Sequence, residues 1–155
     1  MDRYIYCETG NYHESITLME HPIDQQEILK PLFLVAEDYA PSLCRESLAR
    51  LFASQMISKQ TYDDNSELGQ TIQNIFLNLF RSHELRELYN DVPVKLPEWI
   101  SLKFLIATID IFLAYGYQVA NQSSQPEKAI KAFHKILSFD ITLRYLKEES
   151  DRYFL

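Results

Sequence analysis

The stretch from Ile100 to Val119 constrains this chain more than any other. At the helical period of about 3.6 residues per turn, its apolar residues fall on two opposite faces. Leu102, Leu105, Ile106, Ile109, Phe112 and Leu113 line one side, and Ile100, Phe104, Ala107, Ile111 and Ala114 line the other. Two thin polar lines divide them, Ser101 with Thr108 and Lys103 with Asp110. A helix apolar on two faces must be covered twice. The second cover is either another helix of the same domain or a partner subunit. The same polar residues, together with Gln118, make the stretch a poor membrane span.

The rest of the chain is also written in helical periods. Only three glycines occur, and the six prolines stand more often between periodic stretches than inside them. Sheets with many turns need more glycine than this, so the fold class expected is all-α. Residues 1–21 are polar and tyrosine-rich and read as an N-terminal arm; residues 22–155 read as one domain. Asp24 and Glu27 have capping-box spacing, opening a helix that runs to about Tyr39 with a bend near Pro31. Pro41 suits the first turn of a second helix, which carries Leu43, Leu48, Leu51 and Phe52 and ends near Met56. Residues 59–66 read as a polar linker. From Glu67 onward Leu68, Ile72, Ile75, Phe76, Leu79, Phe80 and His83 step by three and four, the mark of an amphipathic helix. Pro93 and Pro97 exclude a long helix through 89–97. A helix over 97–121 follows, then a short loop. Pro126 opens a last helix that buries Ile130, Phe133, Ile136, Leu137, Leu143 and Leu146.

Charge and motifs narrow the function more by exclusion than by assignment. A net charge of −7, with basic residues spread singly, argues against nucleic acid as a partner. An acidic surface fits a cytoplasmic protein. Cys7 and Cys44 stand in no CxxC and read as reduced, inert thiols. His13, His21, His83 and His134 have no second ligand at metal spacing, so no metal site is expected. No phosphate loop, HExxH or nucleophile elbow is present, and nothing converges on a reaction, so the chain is not expected to be an enzyme. What remains is an interior rich in aromatic residues. It is either an ordinary core or one hollow enough for an apolar ligand.

Two segments carry a family resemblance. The run LPEW places Pro97 and Trp99 at the head of the penultimate helix, and KAIKAFHKIL opens the last one. Together with the segments at 68–88 and 23–52, they resemble globin-coupled sensor domains, in order, spacing and apolar pattern. The resemblance implies a globin-like helical sensor domain that dimerises through its last two long helices. It also shows where this chain departs. Haem-binding members carry a proximal histidine seven residues before that proline, where this chain has Asn90 beside Tyr89. The stretch before Pro97 is shorter than in haem binders, and Pro93 discourages the helix that would present a ligand. The position of the distal tyrosine of some oxygen sensors matches Phe52, which cannot donate a hydrogen bond. No haem is therefore expected.

These absences resemble a haem-less subgroup found in sporulation histidine kinases of endospore-forming bacteria and in stand-alone inhibitors that copy a kinase's sensor domain. Membership would imply a homodimer with an apolar tunnel for a fatty acid and a halide ion nearby. It would also imply inhibition of sporulation signalling by mimicking or titrating the signal of a sensor histidine kinase. A chain ending soon after its last helix, without kinase, cyclase or methyl-accepting module, is expected to be such an inhibitor. The candidate lining of the tunnel is Phe52, Ile72, Phe76, Leu79, Phe80, Ile106 and Ile109. Arg81, His83 and Tyr89 are candidates for the carboxylate head, and Ile100, Phe104, Ala107, Ile111 and Ala114 for the dimer interface. Two other functions stay open: a helical protein–protein interaction module with no ligand, and a haem-binding gas sensor.

Overall fold

The computed structural model describes residues 22–81 and 100–154. Helix follows helix through these residues, and no strand occurs among them. The all-α expectation holds at that level.

The first helix among the described residues, α1 (Pro22–Leu29), starts two residues before Asp24, with proline at its first position. A 3-10 turn over Lys30–Leu32 follows, with Pro31 near its start. α2 (Phe33–Ala53) then runs unbroken through Pro41. The bend expected near Pro31 is present as that 3-10 turn, and the helix boundary expected between Tyr39 and Pro41 is absent. Pro41 deprives the Glu37 carbonyl of its helical partner, but both residues are exposed, so water can take that carbonyl. α2 ends in a reciprocal pair of bonds, Met56 N–H to Leu51 O at 2.9 Å and Gln55 N–H to Phe52 O at 3.0 Å. Gln55 sits at φ 59°, the left-handed position that glycine usually fills in this closing motif.

The expected linker contains one helical turn, α3 (Lys59–Asp63), whose first N–H groups are met by Ser58 Oγ, which accepts from Thr61 N at 3.1 Å. α4 (Ser66–Asn78) turns Gly69, Ile72, Ile75, Phe76 and Leu77 inward. It lies close to α2 where Cys44 Sγ donates to Gly69 O at 3.4 Å. Burial pushes the Cys44 thiol up, against the opposing pulls of Gln73 and Arg45, in keeping with an inert thiol. Past Asn78 the chain tightens, with Leu79, Phe80 and Arg81 amides each bonding three residues back.

The helix expected over 97–121 is divided into α5 (Leu102–Ala107) and α6 (Ile109–Ala120), with Thr108 between them. After the loop, α7 (Pro126–Phe154) is the longest element. α1, α5 and α6 pack on α7, while α2 packs against α4 and α6. Both covers of α6 thus come from its own chain. The two polar lines have separate fates. Thr108 is buried, because its hydroxyl donates to Phe104 O at 3.1 Å and Leu105 O at 3.2 Å. Lys103 and Asp110 are exposed, where water can solvate their charges. The two apolar faces therefore merge into one broad buried arc centred on the hydroxyl line. No helix among the described residues is long and apolar enough to cross a membrane.

Candidate functional site

Four phenylalanine rings meet where α4, α6 and α7 converge. Phe76 stands edge-on to Phe80 at 5.3 Å between centroids and edge-on to Phe112 at 6.0 Å. Phe80 stacks on Phe133 at 5.8 Å. All four are buried. These separations are those of favourable aromatic pairs. Gly116 makes the arrangement possible, since a Cβ there would lie only 2.1 Å from Cζ and 2.2 Å from Cε2 of Phe133. α6 can come this close to that ring only with glycine at this point.

Of the candidate lining residues, Ile72, Phe76, Leu79 and Phe80 are buried around this cluster and Ile109 is half-buried. Two turn elsewhere. Phe52 is 38% exposed and packs its ring against Tyr62 at 4.6 Å, because it belongs to the closing turn of α2. Ile106 is 49% exposed, because it lies on the Lys103 and Asp110 side of α5. Among the head-group candidates, Arg81 is half-buried, donates to Asn78 Oδ1 at 3.0 Å and sits 4.7 Å from the Phe33 ring centroid. His83 and Tyr89 lie outside the described residues, as do Asn90, Pro93 and Pro97.

The candidate dimer face divides in the same way. Ile100 and Ile111 are buried within the single chain, Phe104 and Ala107 are half-buried, and Ala114 is exposed. Apolar surface left over on α5 and α7 is carried by Ile106 and Tyr145.

The largest polar feature of the interior is one that apolar periodicity passes over. Arg144 Nε donates to Asp140 Oδ2 at 2.6 Å, with the two side chains 1% and 8% exposed. Arg144 Nη1 points to Ile100 O at 3.5 Å. The available signal was the i,i+4 spacing of opposite charges on the inner line of α7, which is ordinarily a surface pattern. Ser47 is buried on α2, its Oγ without a hydrogen-bond partner. Outside the core, a cleft of about 430 Å³ opens between the α1–α2 junction and the loop that leads into α7, over Ile28, Leu32 and Val35 with Lys128 at its rim. Among the described residues no group of His, Cys, Asp or Glu could hold a metal ion. No family model, curated protein or solved structure matches this chain.

Proposed function

We propose that this chain is a haem-less, globin-type sensor domain that takes up a fatty acid and inhibits sporulation signalling by titrating the signal of a sensor histidine kinase. The observation that carries the reading is the ring cluster of Phe76, Phe80, Phe112 and Phe133. It occupies the junction of α4, α6 and α7, the place where the family resemblance puts the acyl chain. Its four rings are apolar and hold no ligand for iron. Rotation of one or two rings opens room for a methylene chain, and Arg81, next to Phe80 in sequence, is the candidate partner for the carboxylate. A halide ion near that head would share the same cationic neighbourhood. In this reading the protein acts in the cytoplasm as a homodimer. The exposed Ile106 and Tyr145 support α5 and α7 as the dimer contact, in place of Ile100 and Ile111.

The test is organic extraction of the purified protein followed by mass spectrometry. The proposal expects a long-chain fatty acid, and no Soret band when haem is added. Recovery of no fatty acid, with no uptake of added palmitate, would overturn it.

A second reading, an interaction module with a solid core, draws on the same rings. They already touch one another in the chain without a ligand. Melting separates the two, because a ligand that binds only the folded state raises the melting temperature by mass action. A solid core gives no shift with added palmitate.

A further inference from the structure

The break between α5 and α6 has no proline or glycine to cause it: residues 98 to 115 contain neither. Helix kinks normally trace to such residues or to a group inserted into the backbone ladder. Here the inserted groups are side chains. Arg50 of α2 donates through Nη1 to Ala107 O at 3.1 Å. In a continuous helix that carbonyl would accept the N–H of Ile111, which instead bonds to Thr108 O at 3.0 Å. The Thr108 hydroxyl and amide both reach Leu105 O, at 3.2 and 3.1 Å. That carbonyl would otherwise accept the N–H of Ile109.

Arg50 also grips the far side of the break. Its Nη1 and Nη2 donate to Asp110 Oδ1 and Oδ2 at 2.8 and 3.0 Å. One guanidinium thus holds the last carbonyl of α5 and the first acidic side chain of α6. Its positive charge lies at a helix C-terminus, where the macrodipole favours it. The opposite end of α5 is met in a complementary way. Glu148 of α7 accepts from Leu102 N–H at 2.6 Å, a carboxylate at a helix N-terminus. Six residues are too few to hold a helix on their own. α5 therefore exists as a separate piece because two charged side chains from other helices hold its ends.

We propose that α5 is a switch segment. In the clamped state Arg50 keeps it apart from α6, and in the released state α5 and α6 join into one helix through Thr108. The joined form is the one that the apolar period of 97–121 favours by itself. Asp110 is exposed and Arg50 partly so, so a partner or ion that competes for either can release the clamp from outside. Leu105 and Phe112, on either side of Thr108, are buried, so a change in the interior can bias it from within. Phe112 touches Phe76, which links the ring cluster to the break.

Joining makes an unusual demand on backbone exchange. In the clamped state the amides of Ile109 and Asp110 are the first two of α6 and have no backbone carbonyl within that helix to bond to; the Asp110 amide meets its own carboxylate instead. In the joined state they bond to Leu105 O and Ile106 O. Removing the clamp must therefore slow their exchange, whereas simple loosening would speed it. The experiment is hydrogen exchange by NMR on the full chain, comparing wild type with Arg50→Gln. The expected result is slowing of both amides by roughly threefold or more, a scale set by the modest worth of exposed ion pairs. It should be accompanied by a helical shift of the Thr108 Cα resonance. Thr108→Val in the same background adds to the slowing. Lys59→Gln, which removes the exposed Lys59–Asp63 pair, leaves these amides unchanged. Unchanged or faster exchange at Ile109 and Asp110 in folded Arg50→Gln overturns the proposal. If that variant does not fold, wild type in rising salt gives the same decision, since salt screens the clamp. Slowing supports the switch, and constant or faster exchange overturns it.

Discussion

From Ala129 to Leu137, α7 turns two alanines, Phe133, Ile136 and Leu137 inward. From Phe139 to Arg144, the same inner line carries Asp140 and Arg144 beside Phe139 and Leu143. The first region is held by area and shape, with the ring of Phe133 pressed against the glycine of α6. The second is held by a charge pair that must first be stripped of water. Buried ions recover that cost only when paired and hydrogen-bonded, so losing one partner is worse than losing both. A packed ring has no such dependence on a single partner. The difference teaches that equal burial on one helix need not mean equal tolerance to change.

The largest effect expected follows from that asymmetry. Arg144→Met leaves Asp140 buried without its cation and should destabilise the fold by about 3–5 kcal/mol. Asp140→Leu combined with Arg144→Met should recover most of the loss, as read by urea denaturation. If the double variant is as unstable as the single one, the pair is not what limits that region. In the first region, Gly116→Ala forces the Phe133 ring aside. Overpacking of this kind costs about 1–3 kcal/mol, and Phe133→Leu in the same chain should relieve it. Equal stability of Gly116→Ala and wild type would break the shape argument.

The exposed pair of Arg50 and Asp110 sharpens the comparison by removing burial from it. Hydrogen bonding from Arg50, and then its charge, hold the Asp110 carboxyl below the usual carboxylate range, and the same contact raises Arg50. A lowered folded pKa means that the contribution is present above the ordinary aspartate value of about 3.9. It fades as the pH falls through the lowered value. Between neutral pH and about pH 4, wild type and Asp110→Asn should therefore differ by a constant small amount, and converge only in stronger acid. Convergence already near pH 6 would contradict this.

Apolar period alone made the first region of α7 legible, along with the inward face of α4 and the all-helical class. It failed where a polar atom found a partner far away in sequence. Arg50 and Ala107 are 57 residues apart, so no local pattern warned that the helix over 97–121 would be broken at Thr108. Asp140 and Arg144 resemble any surface pair until α7 is packed against the chain at Ile100. Thr108 was placed on a dividing polar line, but its hydroxyl bonds to its own helix and the line became the centre of the buried arc. Phe52 and Ile106 were expected inside because hydrophobicity was read without the helix end and the charged line that carry them outward. The bend near Pro31 was legible, but the boundary at Pro41 was not, because Pro41 breaks nothing where the freed carbonyl faces water.

The central claim is that the ring cluster is a chamber rather than a finished core. A crystal structure of the protein purified with added palmitate tests it most directly. The account predicts elongated density among α4, α6 and α7, with at least one of Phe76, Phe80, Phe112 and Phe133 turned from its present contacts. Rings still at their 5.3–6.0 Å separations, with no density between them, would contradict it.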